Sequence, residues 1–168
     1  MCPTTTPRPA DPAVAVPRPV ARIRLLLLAL AAIDAIALLL FLIRYFTQHA
    51  AFARWVADAP FYASLVKTNG ISEAELYALY STAAVHVVIT ALFLWLAHVI
   101  TAPRPSRRIR VTVVLILSAA FNAVASLAPA AGPAQQAVMA VSLCLKLAAL
   151  WLLWGNRQTA TFFAPSRP

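Results

Sequence analysis

Acidic side chains are scarce in this chain: five Asp and Glu stand against fourteen Lys and Arg in 168 residues, and charged residues of both signs make up only 11%. Glycine and cysteine are scarcer still, at three and two. Gly70, Gly132 and Gly155 are scattered, which excludes a glycine-rich loop that wraps backbone amides around a phosphate. Cys2 falls in an N-terminal arm and Cys144 inside an apolar run, so neither a disulfide framework nor a redox pair is expected. There is no H-E-x-x-H and no C-x-x-C, and His49, His86 and His98 have no ligand-like spacing. No Ser, Cys or Thr carries an evident base and orienting partner. The expectation is a protein that is not an enzyme and uses no cofactor and no metal.

What the chain has in abundance is apolar surface. It is 62% hydrophobic with a mean hydropathy of +0.79, where soluble domains are about 45–50% apolar and about 25% charged. Four runs approach or exceed the roughly 20 helical residues that cross a hydrocarbon core of about 30 Å. They lie at 23–45, 77–101, 111–129 and 137–155. The predicted fold is all-α, an integral membrane four-helix bundle over 23–157. A disordered Pro-rich arm occupies 1–22, an extracytoplasmic loop 46–76 and a cytoplasmic tail 158–168. Reading the first run as a cleaved signal peptide fails, because it is too long, contains Asp34, and is followed by Arg44, Tyr45 and Gln48 before any small-residue cleavage site.

The excess of positive charge is distributed by topology. Arg8, Arg18, Arg22 and Arg24 precede the first run; Arg104, Arg107, Arg108 and Arg110 separate the second from the third; Arg157 and Arg167 follow the fourth. The opposite side has Arg44, Arg54 and Lys67, matched in number by Asp58, Glu73 and Glu75. The positive-inside rule then places both termini in the cytoplasm, as expected for a multi-pass protein of a bacterial inner membrane. The basic residues find their partner in the lipid bilayer. Arg104, Arg107, Arg108 and Arg110 are candidate contacts for anionic headgroups, and no soluble basic surface points to nucleic acid.

Local signals refine the picture. Arg54 and Asp58, four residues apart and just before Pro60, suggest a short interfacial helix. Phe52, Trp55, Phe61, Tyr62, Tyr77 and Tyr80 read chiefly as anchors at the outer headgroup level. Ser72 with Glu75 has the form of a capping box for the second long helix. The residues at 129–133 form a tight turn, which predicts an antiparallel hairpin of the last two spans. The tail segment 159–163 is expected to rest on the inner leaflet.

Polar residues inside the spans are the candidates for function. Asp34 and Lys146 each interrupt an apolar run, and a charge at mid-membrane costs about 2.5–3.5 kcal/mol on insertion scales. Counted from Arg24, Arg110 and Asn156, the residues Asp34, Asn122 and Lys146 fall at nearly one depth. An Asp34–Lys146 contact supported by Asn122 is therefore expected, either as an ion pair or as two neutral groups, with Ser118 and Ser142 on the same faces. Thr82, His86 and Thr90 recur every four residues and form an outer polar track. His86 comes out about 8 Å farther from the cytoplasmic side than Asp34, so water between them, and no direct contact, is expected.

The Pro-rich basic arm, the aromatic outer loop, Arg107-Arg108-Ile109-Arg110 and the ending from Trp154 to Arg157 together resemble the uncharacterised four-span inner-membrane proteins of high-GC, actinobacterial-type bacteria. That resemblance covers the whole chain and implies no activity, ligand or site residue. The expected role is a noncatalytic membrane protein, a small scaffold or accessory subunit that meets a membrane-protein partner or a second copy of itself. The alternative is a proton-coupled carrier or small-ligand binder that uses Asp34, Lys146 and His86.

Overall fold

The computed structural model describes residues 16–126 and 133–164. The Pro-rich stretch 1–15, residues 127–132, where most of the expected tight turn falls, and the last residues 165–168 lie outside the described part. Within it every regular element is a helix: α1 Arg18–Thr47, α2 His49–Asp58, α3 Ala63–Asn69, α4 Ile71–Val99, α5 Pro105–Ser126, α6 Pro133–Gly155 and α7 Arg157–Phe162.

Three of these helices are long and apolar enough to cross a membrane, α1, α4 and the 134–155 part of α6. α5, with Arg107, Arg108 and Arg110 in its first turns, is not among them. Their outer surfaces support this setting. Leu25, Val88 and Trp151 are 64%, 64% and 71% exposed, which is a liability in water and ordinary against lipid tails.

Each long helix turns a stripe with a seven-residue repeat inward. In α1, Val20, Leu27, Asp34 and Phe41 form one row and Ile23, Leu30, Ala37 and Arg44 the next. In α4 the rows are Glu75, Thr82, Ile89, Leu96 and Leu79, His86, Phe93, Ile100. Two apolar cores fill the two ends of these stripes. The basal core joins Val20, Ile23 and Leu27 of α1 to Phe93 and Leu96 of α4, Val111 and Leu115 of α5, and Ala149 and Leu153 of α6. At the opposite end, under α2 and α3, Phe41, Phe52, Val56, Ala74 and Ala78 form the cap core. α1 lies between α4 and α6, α5 packs on the far side of α6, and α2 and α3 rest on α4.

The ends of several elements differ from expectation. α1 starts at Arg18, so residues 18–22, assigned to the arm, are helical; Pro19 is tolerated because it sits in the first turn, where no amide partner is lost. The second long helix begins at Ile71, ahead of the expected cap at Ser72, and the Ser72–Glu75 capping box does not form. Gly70 takes the cap position and accepts from the Ala74 amide through its backbone, while Glu75 is buried and faces His49 at 3.4 Å. The helix anticipated before Pro60 is α2, although Arg54 donates to the Ala50 carbonyl rather than to Asp58. The tail is also rearranged: Phe162 and Phe163 enter the basal core at 9% and 2% exposure, because α7 folds back onto α6 and α1.

Gly70 joins α3 to α4 with φ 89° and ψ 168°, a region essentially reserved for glycine. A Cβ there meets nothing within 4 Å, so the cost of Gly70→Ala is purely backbone strain. Gly70→Ala is expected to destabilise the protein by about 1–3 kcal/mol. Gly155→Ala, whose Cβ meets only the exposed Trp151 indole at 3.3 Å, should cost less. Thermal unfolding of both variants in detergent checks the order.

Candidate functional site

Between the two cores the inward stripes turn polar, and each polar residue occupies a place that an apolar one fills a turn or two away. Asp34 replaces the aliphatic side chain that the row Val20, Leu27 leads to, and Lys146 stands between Met139 and Leu153. Ser118 and Asn122 continue the rows begun by Val111 and Leu115. The helices cannot seal this level as they seal the ends.

Asp34 is held by α4. Its Oδ1 lies 2.9 Å from His86 Nδ1, and its Oδ2 accepts from Thr90 Oγ1 at 2.8 Å. An ionised carboxylate only accepts, so His86 then donates from Nδ1 and keeps Nε2 for another partner. Both side chains are shielded, at 15% and 17% exposure. Hydrogen bonds of this kind between membrane helices are worth about 0.6–2 kcal/mol.

The direct His86–Asp34 contact corrects the expectation that water separates them. The reason is the early start of α1: Asp34 lies sixteen residues beyond Arg18 and His86 thirteen before Val99, about 24 and 20 Å from the basal end at 1.5 Å per residue. Measured from Arg24, Asp34 came out too shallow. The same error brought Lys146 level with it. Lys146 is only nine residues before Gly155, about 13 Å from that end, and no Asp34–Lys146 ion pair forms within 4.0 Å. Lys146 Nζ instead donates to the Ser118 carbonyl at 3.0 Å and stands 5.9 Å from the centre of the Phe93 ring.

Asp34, His86 and Lys146 nevertheless share one cavity of about 390 Å³, within the roughly 300–1,000 Å³ typical of small-molecule sites. Asn122 and Ser142 also line it, as does Thr82, so the cavity joins most of the two polar sets. Thr90 is tied in through Asp34. Ser118 is buried behind Lys146.

Toward the cap the wall becomes aromatic. Phe41, Phe52, Trp55, Phe61 and Tyr62 line it, with Arg44 among them. Phe41 meets Phe52 edge-on at 5.7 Å, Phe52 lies 5.2 Å from Trp55, and Trp55 meets Tyr62 at 5.9 Å. Phe52, Trp55 and Tyr62 thus turn inward, whereas Tyr77 and Tyr80 are 60% and 70% exposed. Sequence reasoning missed Arg44 and this inward turn. Arg44 was detectable, since it follows Leu30 and Ala37 at seven-residue intervals.

At the basal end, Arg107 donates to the Val99 carbonyl, and Arg108 donates to Leu153 O from Nε at 3.2 Å and Nη2 at 3.0 Å. Arg108 also stacks 3.8 Å over the Trp154 ring. Both guanidinium groups therefore satisfy carbonyls in the last turns of α4 and α6, a favourable place for a cation. Arg104 and Arg110 remain exposed. Among the described residues, no three His, Cys, Asp or Glu side chains are grouped to hold a metal ion.

No family model, curated protein or solved structure matches this chain.

The geometry fixes which residues are energetically coupled. Asp34→Asn combined with His86→Ala is expected to be non-additive by about 0.5–2 kcal/mol, while Asp34→Asn and Lys146→Met, which share a cavity without a hydrogen bond, should couple more weakly. Reversible unfolding of the two double-mutant cycles in mixed micelles checks this.

Proposed function

We propose that this protein binds a small molecule among its membrane-spanning helices. In this reading α5 is a fourth span, the basal end with its arginines faces the cytoplasm of a bacterium, and α2 and α3 cap the outer side of the inner membrane. The arrangement of charge supports that orientation: Arg18, Arg22, Arg24, Arg104, Arg107, Arg108, Arg110 and Arg157 all belong to the basal end.

The observation that carries the reading is the cavity. Polar groups that serve only to fix helix register are expected in a close-packed interior, because a void forfeits van der Waals contact on every side that lines it. Here the strongest polar groups of α1, α4, α5 and α6 converge on unfilled space beneath an aromatic cap. An apolar wall with a few converging polar groups is the usual form of a ligand site. A scaffold or accessory subunit needs no such space.

A carrier is the second reading, favoured by the Asp34–His86 contact. A carboxylate and an imidazole 2.9 Å apart on the cavity wall can share a proton, and intramembrane pairs of this kind serve proton-coupled cycles.

Native mass spectrometry of the intact protein released from its own membranes tests ligand binding. A small molecule should accompany the protein and be lost in Ser142→Trp, which fills the cavity. Protein that carries no small molecule, or a Ser142→Trp variant that retains the same one, would contradict the reading.

A further inference from the structure

We infer that the ligand of this cavity is a carboxylate monoanion with an apolar body, its head held by Lys146 and its body lying under the aromatic cap. This rests on the small-ligand reading above and adds the chemical class.

The two charged groups of the cavity differ in how much of their hydrogen-bonding capacity is used. Each Asp34 oxygen already accepts one hydrogen bond, from His86 and from Thr90, so about half of the acceptor capacity of this carboxylate is engaged on α4. Lys146 is in the opposite state. Its ammonium has three N–H donors, its side chain is only 2% exposed, and the Ser118 carbonyl is the one hydrogen-bond acceptor it meets among the described residues. Ser142 stands one turn before it on the same wall, and Asn122 faces the same space from α5. What Lys146 lacks among the described residues is an anionic acceptor within hydrogen-bond distance. A cationic ligand would be repelled by Lys146 and would find Asp34 already engaged by His86 and Thr90, and a neutral apolar one would leave the buried ammonium with spare donors and no anion in contact, a costly state in a low-dielectric site.

The size and composition of the wall narrow the class further. At the Lys146 end, one ammonium beside a hydroxyl and an amide suits a singly charged carboxylate better than a doubly charged phosphate, the second cation of the wall, Arg44, standing toward the cap. Ile33, Ala37, Phe41, Phe121, Val138 and Met139 make much of the remaining wall, with Arg44 and Gln135 as its further polar members, which matches a largely apolar body. About 390 Å³ accommodates a metabolite-sized acid, and a two-chain phospholipid exceeds it. Such an acid has two sources, a fatty acid drawn from the membrane or an aromatic acid drawn from water.

Binding of radiolabelled decanoate and of radiolabelled 1-naphthoate to the full chain in nanodiscs separates these. Competition with decanol, decylammonium and decyl phosphate tests the head. One of the two acids is expected to bind saturably, and the uncharged and cationic competitors should be at least tenfold weaker. Lys146→Gln should lose at least tenfold in affinity, and Lys146→Arg should retain part of it. Lys67→Gln, exposed near the cap, should change nothing. If Lys146→Gln fails to fold, as judged by its unfolding profile, the competitor series on the unaltered protein decides alone.

Saturable binding of decanol or decylammonium as tight as that of the acid, abolished by Ser142→Trp, would overturn the carboxylate assignment while leaving a small-ligand site in place. Preference for decyl phosphate would overturn it in the same way. If none of the probes binds saturably and no small molecule accompanies the native protein, both readings fall.

Discussion

A carboxylate set into the buried stripe of a membrane-spanning helix has to be answered from a neighbouring helix, and the answer given to Asp34 organises this protein. His86 and Thr90, four residues apart on α4, take one oxygen each. That fixes the register of α1 against α4 at one level, and the apolar rows on either side then meet in two separate cores. Below, aliphatic residues from all four long helices interlock with Phe162 and Phe163 of the returning tail. Above, Phe41 and the aromatic residues of α2 close the cap.

The same choice leaves Lys146 with no acid in direct contact among the described residues. With Asp34 engaged on α4, the ammonium of α6 reaches a backbone carbonyl of α5 instead. The two charges therefore face the same space from different walls. Packing at both ends and polarity in the middle produce the cavity. Its position follows from where the charged residues interrupt otherwise regular seven-residue rows.

Much of this was legible in the sequence. Asp34, His86, Asn122, Ser142 and Lys146 stand out because each interrupts an apolar run, and all five line the cavity. The helical character of the long runs follows from their length and composition. Depth was the step that failed. Arg24 looks like the boundary of the first span, but α1 extends back to Arg18 because a proline in the first turn of a helix costs nothing. Six residues of extra helix moved Asp34 level with His86 and away from Lys146. The inward turn of Phe52, Trp55 and Tyr62 was not legible for another reason: helices as short as α2 and α3 give too few repeats to define a face. The basal arginines were read as a lipid-facing set, since nothing in their spacing reveals that Arg107 and Arg108 reach carbonyls on other helices.

The claim on which the rest depends is that the middle level of the helices is open space connected to the cap side, walled by Asp34, His86 and Lys146. Thiol reactivity of Ser142→Cys, in a chain whose own Cys2 and Cys144 are replaced by alanine, measures this most directly. A small water-soluble thiol reagent added outside intact cells should modify the cysteine, and Met139→Trp should slow the reaction. A Ser142→Cys thiol that stays inert in folded protein and reacts only after denaturation would mean that the helices close at this level, and the account would be contradicted.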